Sequence, residues 1–174
     1  MNTPASVQLA AAADVVVRLA DYANADDAQA LVMLLDAYAR DPAGGAEPLS
    51  DFSRQNVVAE LARRPQAYSV LAWVGEQPVG LVNCVEGFST FACRTLVNVH
   101  DVAVLPGQRG RGVGRLMLMC AEAEARRRGA CKLTLEVLSG NAPARRLYEA
   151  EGFADYQLAP EMGSACFMQK WLKP

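Results

Sequence analysis

Apolar positions along this chain switch between two periods. Residues 14–19 alternate weakly and predict a first strand. Residues 25–40 carry Ala28, Leu31, Leu35 and Tyr38 at helical spacing, with Asn24 placed to cap them. Asp41-Pro42-Ala43-Gly44-Gly45 breaks that helix. Ser50 or Asp51 opens a second helix that ends before Pro65. Residues 67–74 and 79–86 read as strands joined by Gly75-Glu76-Gln77-Pro78, an antiparallel hairpin. Residues 96–104 form a long apolar strand interrupted by Asn98, His100 and Asp101. Helical spacing returns over 113–128, where Val113, Leu116, Met117, Cys120 and Ala123 make a buried stripe. Glu122–Arg126 and Glu124–Arg128 support it as i, i+4 pairs, and Gly129 suits its C-terminal cap. Residues 132–138 predict another strand. Asn141 caps a short helix with Pro143 in its first turn, and residues 153–158 and 165–171 predict a closing hairpin. Strands and helices in this order predict an α/β sandwich. The absence of a linker or repeat predicts a single domain over residues 1–174.

The long strand runs into Val104-Leu105-Pro106-Gly107-Gln108-Arg109-Gly110-Arg111-Gly112-Val113-Gly114, a turn with four glycines and two arginines that leads into a helix. The first amides of a helix have no internal acceptor, and the helix dipole adds positive potential there. Glycine lets the backbone approach a ligand closely. This turn therefore suits a pyrophosphate. A nucleoside-triphosphate loop needs Lys and then Ser or Thr after its last glycine, but Val113-Gly114 follow Gly112. A dinucleotide loop needs a third glycine where Arg115 stands.

Arg109, Gly112 and Gly114 match the coenzyme A loop of the GNAT superfamily of N-acetyltransferases, whose pattern is Gln or Arg, two residues, Gly, one residue, then Gly or Ala. Asn141 to Phe153, with Tyr148 between, resembles that family's later motif. The likeness covers residues 67–153 and is closest to the diamine and small-amine branch. It implies a GNAT-like mixed, mostly antiparallel sheet of about six or seven strands flanked by about four helices. It also implies acetyl-CoA as cosubstrate, held by Val102, Val104, Arg109, Gly110, Arg111, Gly112, Val113, Gly114 and Asn141, without a metal. In the family the Val104 N–H would stabilise the oxyanion, and a tyrosine at the place of Tyr148 meets the thioester sulfur as general acid.

A free alkyl amine has a pKa near ~10.4, so an acetyl acceptor must lose a proton before it attacks. His100, the only histidine, is the expected catalytic base, directly or through water. Plain strand alternation puts Asn98, His100 and Val102 on one side and sends Asp101, read as structural, to the other. No cysteine adjoins an evident base, which favours direct attack in a ternary complex.

Composition narrows the setting. Net charge is −2, so nothing compels nucleic-acid binding, and no apolar run is long enough to span a bilayer. Five cysteines form an odd set without metal-ligand spacing, four of them in apolar context and Cys93 in a loop. With no evident signal peptide, that suggests a reduced, cytoplasmic setting. Eight acids precede residue 52 against Arg18 and Arg40 alone. This acidic front, together with Tyr38, Phe52, Phe88 and Phe91, favours a small cationic amine as acceptor. A protein N-terminal or lysine acetyltransferase, and a non-catalytic acyl-CoA-binding domain, stay open as alternatives. So does a homodimer.

Overall fold

The computed structural model describes residues 14–157, 159, 161 and 163–172. They fall into two compact units, one ending at Leu135 and the other beginning at Glu136. The first unit holds a five-stranded sheet in the order β1-β2-β3-β4-β5, comprising β1 (Val15–Leu19), β2 (Ala67–Val74), β3 (Gln77–Ser89), β4 (Arg94–Val104) and β5 (Leu133–Leu135). Neighbours are antiparallel except β4 and β5, which run parallel. Helices α1 (Ala25–Ala39), α2 (Asp51–Ala62) and α3 (Val113–Arg127) complete that unit, and α4 (Ala142–Ala150) lies in the second.

The sheet separates two cores. On one face Leu71 and Leu81 pack with Ala30, Leu31 and Leu34 of α1 and with Ala103. On the other face Tyr68 donates its hydroxyl to the Ala121 carbonyl of α3 at 2.8 Å. Gly80 also belongs there. A Cβ at that position would stand 2.8 Å from the Met117 sulfur, so Met117 of α3 packs into the space that glycine leaves on β3. Asn24 accepts from the Asp26 and Asp27 amides and Ser50 from the Ser53 amide, as their side chains predict.

Several expectations need correction. The sheet has five strands, not six or seven, because residues 153–157 and 165–171 form no strand among the described residues; Leu158, one end of the expected hairpin, lies outside them. The strand expected over 132–138 shortens to β5, since parallel pairing with β4 covers only Val97, Asn98 and Val99. The buried stripe of α1 is Asp27, Ala30, Leu31 and Leu34, with Leu35 and Tyr38 only partly covered, because Asp27 turns inward to meet Arg18. Ala123 on α3 is half-buried, with Ala121, Glu124 and Ala125 buried in its stead. Cys166, one of the four cysteines read as lying in apolar context, is exposed. No helix among the described residues is long and apolar enough to cross a membrane.

Candidate active site

The site is organised by an irregularity in β4. Asn83 of β3 pairs with Asp101, yet the next residue, Cys84, pairs with Val99. His100 is therefore the extra residue of a β-bulge. Paired residues share a face, so Asp101 joins Asn98 and His100 on the α1 side, while Val102 passes to the α3 side. This overturns the alternation that put Val102 with His100 and Asp101 opposite. One extra residue flips every position after it.

The His100 side chain is exposed, and its Nδ1 lies 3.4 Å from Asn98 Oδ1. Asn98 Nδ2 in turn donates to Thr134 Oγ1 at 3.3 Å. With that amide oriented, Nδ1 carries the proton and Nε2 is left as an acceptor.

Past the bulge, Leu105 N–H donates to the Val79 carbonyl at 2.9 Å. Alternation then aims the N–H and C=O of Val102 and Val104 away from β3, at the edge where β5 has stopped pairing. Arg109 Nε binds the Val104 carbonyl at 2.9 Å, and its Nη2 binds Asp41 at 2.7 Å. The Arg109 hydrogen bond, followed by the Ala43 amide, holds the Asp41 carboxyl below its ordinary value. Asp41 was not anticipated from the sequence, and its spacing of 68 residues from Arg109 explains why.

The turn that follows is built to accept an anion. α1, α2 and α4 each begin with a side-chain cap, whereas α3 has none and no acid in its first turn. Its N-cap is Gly112 at φ +81°. Among the described residues the amides of residues 110–114 have no acceptor, and the Leu116 amide donates to the Gly112 carbonyl. A Cβ on Gly107, Gly110 or Gly112 would meet nothing within 4 Å, so the space before these amides is open. Arg111 folds onto Gln108 at 2.6 Å. Five free donors with a helix dipole behind them fit a diphosphate such as that of coenzyme A.

In the second unit, Asn141 Oδ1 caps α4 by accepting the Ala144 amide at 3.3 Å. Tyr148 is buried and makes an edge contact with Phe153, ring centroids 5.9 Å apart.

A chain of buried polar groups also runs across the sheet. Tyr22 donates to Ser69 Oγ at 2.8 Å, Ser69 donates to Asn83 Oδ1 at 2.6 Å, and Asn83 Nδ2 donates to Asp101 Oδ2 at 3.0 Å. Ser69 is 1% exposed and Asn83 5%. The Ser69 proton is committed to Asn83, so the Tyr22 hydroxyl must be the donor to Ser69. Burial raises the Tyr22 pKa and keeps that hydroxyl protonated. A lone Ser and a lone Asn inside otherwise apolar strands were the signal of this chain in the sequence.

Half of the acidic front is taken up in ion pairs. Asp27 pairs with Arg18, Asp36 with Arg40 and Arg54, Asp41 with Arg109 and Asp51 with Arg54. Phe52, Phe88 and Phe91 are exposed. Burial pushes the Cys84 thiol up to about 12 and that of Cys120 up to about 11, so neither is a thiolate near neutral pH.

The profile of the Acetyltransferase (GNAT) family matches residues 28–153. A streptothricin acetyltransferase of Streptomyces lavendulae is 47% identical over 58 residues, 33% of this chain and 31% of that protein. The uncharacterized N-acetyltransferase YhfO of Bacillus subtilis (strain 168) is 31% identical over 77 residues, 44% of this chain and 52% of that one. The chain thus spans about a third of the length of the first of these curated relatives and about half of the second. In fold it is similar to AAC(6')-Iy, solved in complex with the bisubstrate analogue CoA-S-monomethyl-acetylneamine. The TM-score is 0.71 at 14% identity, covering 91% of this chain and 99% of that one.

Proposed function

Because this chain belongs to the GNAT acetyltransferase family, we propose that it moves acetyl from acetyl-CoA to the primary amine of a small cationic molecule, by direct attack in a ternary complex. The observation that carries this reading is the row of unpaired amides at residues 110–114, beside a Val104 N–H aimed at an open strand edge. The amides and the α3 dipole hold the diphosphate. The Val104 N–H donates to the acetyl oxygen and stabilises the charge that develops there. Arg109 fixes the Val104 peptide through its carbonyl. Asn141 Nδ2 is the donor left for the pantetheine arm, since its oxygen caps α4.

Supplying a neutral alkyl amine at pH 7.5 costs about 4 kcal/mol, at 1.36 kcal/mol per pKa unit. His100, four residues before Val104 on β4, takes that proton on Nε2 through an intervening water, and Asn98 orients the ring. Tyr148 supplies the proton for the departing thiolate. The buried thiols of Cys84 and Cys120 favour direct attack over an acyl-cysteine intermediate. The relative called streptothricin acetyltransferase supports a small-molecule acceptor over a protein one.

The test is coenzyme A release from acetyl-CoA across a panel of mono- and diamines, aminoglycosides, streptothricin and lysine peptides. Turnover of the small amines with no turnover of peptides is expected. Release with none of them ends the proposal. Two variants probe the cofactor. Gly112→Asp places a carboxylate before the free amides in a left-handed residue, and is expected to weaken acetyl-CoA binding about tenfold to hundredfold by calorimetry. Tyr148→Phe is expected to lower kcat by about tenfold to hundredfold with KM for acetyl-CoA nearly unchanged, measured by steady-state kinetics.

A further inference from the structure

Resting on the acetyl-transfer reading above, we propose that Asp101 is a specificity-determining residue that binds a second, non-reacting cationic nitrogen of the acceptor, held in place by Asn83, Ser69 and Tyr22. Three observations carry this.

The first is placement. The bulge at His100 brings Asp101 onto the same side of β4 as Asn98 and His100. Its carboxylate lies close enough to Tyr38 of α1 that its charge, after burial, helps raise that hydroxyl's pKa.

The second is the state of its two oxygens. Oδ2 accepts the amide of Asn83, at the end of a hydrogen-bond chain whose every donor is fixed in direction. Asn83 cannot flip without facing Nδ2 toward the Ser69 proton. Oδ1 has no hydrogen-bond partner among the described residues, and Asp101 is only partly buried. Asp27, Asp36, Asp41 and Asp51 are each taken by an arginine, whereas no lysine or arginine pairs with Asp101 among the described residues. A carboxylate aimed by neutral donors, with one oxygen left over, suits an incoming cation.

The third is distance. Asp101 precedes Val104 by three residues, about 10 Å along the strand. An acetyl group held at the Val104 N–H is attacked by a nitrogen about 3 Å from its carbon. Asp101 is too far along β4 to hold that nitrogen, and it instead reaches one removed by four or five bonds of about 1.5 Å. The chemistry selected is that of a diamine or a longer polycation, in which one nitrogen reacts and another is bound.

Initial rates with butylamine and 1,4-diaminobutane, followed by coenzyme A release and product mass, test this. The wild type is expected to favour the diamine at least about tenfold in kcat/KM, the size of one hydrogen bond to a charged group, and to do so through KM. Asp101→Asn should remove that preference and leave butylamine within about twofold of its original rate. Asn83→Leu should act in the same direction with a smaller loss, and Asp101→Glu should shift the preference to a shorter diamine. Equal losses on both amines in Asp101→Asn, or no change on either, overturn the inference and leave the acetyl-transfer reading standing. No turnover of any amine by the wild type overturns both.

Discussion

Replacing His100 with alanine is expected to lower kcat/KM by about 10²- to 10⁴-fold, the usual contribution of a positioned acid or base. The loss should fall mainly on kcat, because His100 acts on the proton that leaves as nitrogen attacks, a change absent from the ground state. The acidic limb of the pH–rate profile should disappear with it. Protonation of Nε2 removes the acceptor, and alanine has nothing to protonate. Asn98→Ala should produce a smaller loss, since it releases the ring held through Nδ1 but leaves the imidazole in place. Acetyl-CoA affinity should be unchanged in both, because neither side chain belongs to the turn over residues 107–114. An intact acidic limb in His100→Ala would assign the proton transfer elsewhere.

Replacing Asp27 with alanine is expected to destabilise the fold by about 3 kcal/mol and lower Tm by roughly 10 °C. Asp27 is 1% exposed, receives Arg18 through two bonds of 2.6 Å, and accepts the Asp21 amide at 2.9 Å. Removing it leaves an amide and part of a guanidinium without a partner. The loss lies at the low end for such a pair because the Arg18 side chain is 40% exposed and rests over the Trp73 ring at 5.6 Å. Burial pushes the Asp27 carboxyl up, but the hydrogen bonds from Arg18 and from the Asp21 amide outweigh it and leave its pKa lowered. A carboxyl whose folded pKa is depressed stabilises the protein above its unfolded pKa, near ~3.9, and loses that contribution as pH falls toward the folded value. Denaturant midpoints should therefore drop as pH goes below about 4 in the wild type, and less steeply in Asp27→Asn.

Much of the fold was legible because its signals are local. Asn24, Ser50 and Asn141 cap the helices that their side chains predict, and Gly129, at φ +77°, follows the end of α3. The turn over residues 107–114 was legible because glycine marks the places where the backbone turns left-handed, at Gly110 and Gly112. What escaped detection depends on pairing between distant segments. No glycine or proline marks the bulge at His100, so a period of two placed Asp101 on the wrong face and carried Val102 with it. Asp36 and Asp41 counted as free acids, since the sequence does not reveal that Arg54 and Arg109 reach them. The closing hairpin was inferred from apolar content alone, and Phe167, Met168 and Trp171 are exposed instead.

The double hold of Arg109, on the Val104 carbonyl and on Asp41, has a consequence for anyone redesigning this scaffold. A graft that swaps the connection between α1 and α2 to admit a bulkier nucleophile would also release the guanidinium that steadies the Val104 peptide, the one proposed to bind the oxyanion. Libraries over residues 42–48 should therefore keep Asp41 constant, or recover it in a second round together with a compensating change at position 109.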